Sequence, residues 1–196
     1  MNTLKAEKRS MDVKAKKLRR EGYVTGNLFG REIEGSIPLK MAKKDVETIL
    51  KSNGKGSQVM LEVEGRSYDA LIKDVVYNAM NHYVDEIDFQ ALVSNVKVHS
   101  VAEVILVNHD KVAEGIVQEK LTEISYKALP AALVDKVRID ISKMRIGDCV
   151  RVKDLEIAGN PEIDLMTDLE AVVVEVTPVH NAPIPEAVAE EAPAEA

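Results

Sequence analysis

Apolar and polar residues alternate along most of this chain, the period-2 pattern of strands with one buried face. In the first half the alternation predicts strands over residues 3–9, 23–29, 33–39, 58–63, 67–76 and 84–92. One stretch departs from it. Over residues 42–51, Val46, Ile49 and Leu50 fall on one side of a 3.6-residue period, which predicts a helix. The glycine-containing SNGKGS (52–57) then ends that helix, and EGR (64–66) reads as a hairpin turn between two strands. Together these elements describe a small, mostly antiparallel sheet or barrel with one helix.

The pattern restarts near Val96, with strands expected over 96–108, 121–127, 136–141, 149–152 and 171–177. The last contains AVVVEVT, a β-branched run suited to a buried strand. Pro130, Gly147, Gly159 and Pro161 punctuate the turns, and no long helical period appears. The chain is therefore expected to be mainly β with few helices (α+β). A small N-terminal β-barrel over 1–95 precedes a C-terminal all-β domain over 96–180. Residues 181–196, rich in Ala, Pro and Glu, read as a disordered acidic tail, too polar to offset the entropy of ordering.

Composition adds limits. Aromatic residues are only 4% of the chain, so the cores must rest on Val, Ile, Leu and Met. No apolar run approaches the ~18 residues of a membrane helix, and the N-terminus lacks the apolar stretch of a signal peptide. A lone cysteine, Cys149, rules out an internal disulfide; it opens a strand and reads as a buried, inert thiol. These features are expected of a cytoplasmic protein.

Charge is distributed unevenly. The net charge is −7, yet residues 1–44 carry 12 Lys/Arg against 5 Asp/Glu, a net of +7. Residues 45–95 carry a net of −5 and residues 96–196 a net of −9. Lys14, Lys16, Lys17, Arg19 and Arg20 lie within seven positions, followed by Gly22, Gly26 and Gly30. Such asymmetry fits a basic arm facing a polyanion, and equally a solvated basic helix.

No motif of catalysis appears. The glycine spacing matches neither G-x-G-x-x-G nor G-x-x-x-x-G-K-[ST]. His82, His99, His109 and His180 are scattered without metal-ligand spacing. Strict alternation would put Asp85 on the opposite face from Glu86 and Asp88, which argues against a metal site there. No cofactor, metal or small-molecule substrate is expected, and a binding protein is favoured over an enzyme.

Read physically, the Lys and Arg side chains suit phosphates, the glycines would let backbone approach a groove, and Tyr23 and Phe29 would stack on bases. RNA is preferred because no recognition helix for a DNA major groove is visible. The bland alternative is that Tyr23, Val24 and Leu28 are strand core beside a basic loop.

The strings KKLRREGYVTGNLFG (16–30), KDV (73–75) and EIDFQ (86–90) together resemble a bacterial large-subunit ribosomal protein family that binds 5S rRNA. ALPAALVDKVRIDISKMRIGDCVRVKDL (128–155) is similar to the C-terminal β-domain of that family's long form, the general stress protein CTC type. The resemblance covers about residues 1–180. It implies a ribosome-associated scaffold whose partners are 5S rRNA and large-subunit proteins, bound through a basic N-terminal loop. Arg9, Arg19, Arg20, Gly30 and Asp88 match RNA-contacting positions; Lys14, Lys16 and Lys17 match the basic stretch loosely, and Phe29 replaces a tyrosine. The family's proline, histidine, glutamine and His-Pro pair are here Thr25, Glu86, Val76 and Asn78-Ala79. Glu86 sets a negative charge where an imidazole would face phosphate, which motivates a second reading: a divergent member that binds a protein partner.

Overall fold

A computed structural model describes residues 3–112 and 115–178. The segment 181–196, expected to be disordered, lies outside them. Six strands close into a barrel in the order β1-β3-β2-β6-β5-β4. They are β1 (Thr3–Lys8), β2 (Tyr23–Phe29), β3 (Ser36–Ala42), β4 (Gln58–Val63), β5 (Arg66–Asn78) and β6 (Tyr83–Ala91). Closure needs two parallel contacts, β1 with β4 and β2 with β6; the remaining contacts are antiparallel. The inward residues Leu4, Leu28, Leu39, Leu61, Ile72 and Phe89 fill the interior, and all are essentially inaccessible to solvent. Closing the sheet leaves no exposed edge.

Helix α2 (Lys43–Leu50) packs Val46 and Ile49 onto this core, as the 3.6-residue pattern predicts. The two-residue turn Glu64–Gly65 joins β4 to β5 with both φ angles positive (49° and 80°), the geometry that right-twisted hairpins favour. Strand β3 starts three residues later than expected. Residues 31–35 form a turn, held by Ile33 N–H donating to the Gly30 carbonyl, and Gly35 leaves it at φ 80°.

The larger correction concerns the basic stretch, which is a helix and not a loop. Helix α1 (Ala15–Arg20) is anchored by one buried side chain, Leu18. Lys17, Arg19 and Arg20 occupy its last turn, where positive charge complements the carbonyl end. So short a helix leaves no period in the sequence, because a single apolar contact, Leu18, defines its inner face.

A second core forms between two smaller sheets. One has the order β10-β7-β9-β12, from β7 (Val98–Val107), β9 (Glu123–Ala128), β10 (Lys136–Asp140) and β12 (Ile163–Leu165). The other has the order β11-β13-β8, from β8 (Ile116–Glu119), β11 (Cys149–Arg151) and β13 (Val172–Thr177). Strands β8 and β12, four and three residues long, are not expected from the pattern. Cys149 corrects the expectation of a buried thiol: it is exposed.

At the centre of this core lies Tyr126, fully buried. Its hydroxyl donates to the Val134 carbonyl at 2.9 Å and accepts from the Val134 N–H at 2.8 Å. Burial pushes this phenol above its ordinary range. The Tyr126→Phe change strands two backbone groups of Val134. A loss of about 1–3 kcal/mol is expected, read from the urea midpoint.

The two cores abut through the turn after α2. Gly56 adopts φ 85°, and a Cβ there would lie 2.0 Å from the Val101 carbonyl oxygen. Lys55 Nζ reaches Glu123 at 3.7 Å, and Lys73 Nζ donates to the His99 carbonyl at 2.9 Å.

Candidate nucleic-acid interface

Helix α1 sits at the end of the barrel where β2 begins and the β5–β6 hairpin projects. Its four cations and Lys14, which precedes it, divide by what they touch. Arg19 turns inward: Nε donates to the Asp85 carbonyl at 3.0 Å and Nη2 to Thr25 Oγ1 at 3.3 Å. The same guanidinium lies 3.6 Å from Asp85 Oδ1 and 3.9 Å from Glu86 Oε2. It therefore clamps the helix to β6. Lys17 lies 3.9 Å from Glu21, one turn on, an exposed pair of small energetic weight. Lys14, Lys16 and Arg20 are exposed and make no ion pair among the described residues.

The reach of Arg19 to both acids has a local cause. The β5–β6 register shifts after Val76, which pairs with Glu86 while Tyr77 pairs with Val84. Asp85 is the extra residue of this bulge, so Asp85 and Glu86 both face outward between the buried Val84 and Ile87. Strict alternation separates these two carboxylates; the bulge places them together.

The remaining expected site residues are placed as follows. Arg9 folds back, Nη2 donating to the Val13 carbonyl at 3.1 Å, while its buried Nε lacks a partner among the described residues. Asp88 Oδ1 accepts from both the backbone N–H and side-chain amide of Asn27, each at 3.1 Å, and so ties β6 to β2. Phe29 is half-buried at the far end of β2. A Cβ at Gly30 would lie 2.8 Å from the Ala91 Cβ, and one at Gly26 would lie 1.9 Å from the Ile87 carbonyl oxygen. Both glycines thus have packing reasons within the barrel. Tyr23 carries Lys40 Nζ 5.3 Å from its ring centre, so a cation occupies one of its faces. Hydrogen bonding to Glu7 holds the Lys40 ammonium above its ordinary range.

What the fold brings together is a cleft of about 310 Å³ lined by Lys16, Arg19, Arg20, Asn78, Tyr83 and Asp85. Asn78 and Tyr83 come from the hairpin and were not expected from sequence. Asn78 Nδ2 donates to Asp85 Oδ2 at 3.1 Å, and Lys43 Nζ sits 4.3 Å from the Tyr83 ring centre. Their signal was the pairing of a polar strand end with an aromatic across a turn, which only the register reveals. Among the described residues no group of three or more His, Cys, Asp or Glu could hold a metal ion. No helix there is long and apolar enough to cross a membrane.

Comparison with known proteins gives this surface a context. Residues 4–89 match the model of the Ribosomal L25p family, and residues 93–180 match the Ribosomal protein TL5, C-terminal domain. Among curated relatives, the chain is 29% identical over 176 residues to the large ribosomal subunit protein bL25 of Carboxydothermus hydrogenoformans. That alignment spans 85% of this chain and 87% of the relative. The protein of the same name from Bacillus pumilus is 26% identical over 200 residues, spanning 100% and 94%. The one from Geobacillus thermodenitrificans is 28% identical over 151 residues, spanning 76% and 71%. A six-stranded barrel with a basic helix at one end, followed by a second β-rich unit, matches the order of the two family models. The chain belongs to the ribosomal L25p family, in its two-domain form with a TL5-type C-terminal domain.

Proposed function

We propose that this chain is a structural, non-catalytic constituent of the large ribosomal subunit, and that it binds 5S rRNA at the α1 end of its barrel. The observation that carries the reading is the set of exposed cations Lys14, Lys16 and Arg20, which make no ion pair among the described residues, with Lys16 and Arg20 lining the hairpin cleft, in a chain that is acidic elsewhere. Family membership supports the ribosomal role. Contacts to phosphates by Lys and Arg would supply most of the affinity through counterion release. On this reading Arg9, Arg19 and Asp88 act by shaping the surface, while Phe29 and Gly30 lie at the opposite end of β2. Residues 1–95 form the main RNA-binding unit, residues 96–180 form the C-terminal β-domain, and the protein resides with ribosomes in the cytoplasm.

The experiment is co-sedimentation of the full chain with large subunits and 5S rRNA from its own cells. Presence in the free protein pool alone, with none on subunits, would overturn the proposal.

The protein-partner reading rests on Glu86, and the ion pair with Arg19 offsets part of that charge. An unscreened carboxylate ~4 Å from a phosphate would cost about 4 kcal/mol at an effective dielectric of ~20. Pairing and side-chain movement leave about 1 kcal/mol of that. The Glu86→Gln variant is therefore expected to bind 5S rRNA roughly 5-fold more tightly, since 1.4 kcal/mol is tenfold. Unchanged affinity in a filter-binding titration would mean that this face is turned away from phosphate, as a protein partner requires.

A further inference from the structure

Strands β2 and β6 run in parallel from the α1 end of the barrel to its opposite end, pairing Thr25 with Glu86, Asn27 with Asp88 and Phe29 with Gln90. At ~3.3 Å per residue, Tyr23 and Phe29 are about 20 Å apart along β2. Past Phe29 the chain turns at Gly30, whose lack of a Cβ lets the turn close against Ala91. That turn carries Arg31 to a second cleft, of about 230 Å³, lined also by Gln90, Lys97, His99 and Lys127. The lining draws on both β-rich units.

This cleft is cationic within the more acidic half of the chain. His99, Lys127 and Asp164 lie side by side across β7, β9 and β12. Asp164 is already engaged, since Lys97 Nζ sits 2.6 Å from its Oδ2 and holds the carboxyl below its ordinary range. Arg31 and Lys127 make no ion pair among the described residues. Asp164 also feels Lys127 from beside the cleft, but the lining itself holds Arg31, Lys97 and Lys127 and no carboxylate, so it offers net positive charge to an anion. Between this cleft and α1 the ridge is acidic, with Glu86 facing Arg19 and Asp88 engaged by Asn27. Phosphate contacts are thus favoured at the two ends of the ridge and disfavoured at its middle.

We infer that the Arg31–Lys127 cleft is a second phosphate-binding site, which receives RNA backbone at the junction of the two units while α1 holds the backbone at the other end of the barrel. The inference rests on the RNA-binding reading above. Its test uses the full chain, 5S rRNA and a salt series on three proteins: wild type, Arg31→Gln/Lys127→Gln and Lys16→Gln/Arg20→Gln. Loss of two phosphate contacts at the junction should make the log–log salt slope shallower by about 1–2 and weaken binding about 10-fold or more at 100 mM salt. A junction variant indistinguishable from wild type, alongside a weakened α1 variant, overturns the second site and leaves the first standing. Wild type that fails to bind overturns both. Titration with inorganic phosphate, followed by the Arg31 and Lys127 amide resonances, separates the sources. Saturation by free phosphate with an unchanged RNA slope assigns the cleft to a small anion and also overturns the inference.

Discussion

A Gly26→Ala chain is expected to lose at least about 3 kcal/mol of stability, a large share of the 5–15 kcal/mol typical of a domain. The new methyl carbon would sit 1.9 Å from the Ile87 carbonyl oxygen and 3.2 Å from the Met41 Cε. Met41 can move, because it ends in a flexible side chain. Ile87 cannot, because the clash is with backbone held in the β2–β6 ladder. Relief requires those strands to part, and their ladder, from Thr25–Glu86 to Phe29–Gln90, is one of the two parallel contacts of the barrel. Urea unfolding followed by far-ultraviolet circular dichroism reads the effect, and an unchanged midpoint contradicts the packing described here. Gly22→Ala serves as the comparison. It has open space around the added carbon but φ 87°, so it should cost about 1 kcal/mol.

The largest effect on binding is expected from Lys16→Gln/Arg20→Gln. Both side chains are exposed, line the hairpin cleft and pair with no carboxylate among the described residues. Removing them leaves the fold's own contacts intact, so the urea midpoint should stay within about 0.5 kcal/mol of wild type. Affinity for 5S rRNA at 100 mM salt should fall about 10–100-fold, with a salt slope shallower by about 1–2. Arg19→Gln should behave in the opposite sense. It releases α1 from the Asp85 carbonyl and Thr25, so its first effect is on stability. Equal behaviour of the two variants would show that the division between clamping and outward cations is wrong.

Sequence patterning identifies the barrel well where strands are long and one-sided. Gln58–Val63 follows from alternation alone, because it buries every second residue, whereas Tyr23–Phe29 also buries Thr25 between Val24 and Gly26. It fails where tertiary contacts decide. Helix α1 buries only Leu18, and β12 has three residues whose pairing with β9 is nonlocal. The site was legible as charge but not as geometry. The basic cluster is visible in the sequence, whereas the Asp85 bulge that turns Arg19 inward depends on the β5–β6 register. Gly26 and Gly30 illustrate the same limit. In the sequence they read as places where backbone could approach a groove, while the neighbours they pack against, Ile87 and Ala91, lie about 60 residues away in the chain.

The central claim is that this acidic chain grips 5S rRNA through a few outward cations. The dependence of its affinity on salt tests that most directly. The expected result is a linear fall of log affinity with log salt, with a slope magnitude of about 3–5 for the contacts offered by α1 and the junction. No binding at about 100 mM salt, or an affinity indifferent to salt, would contradict the account.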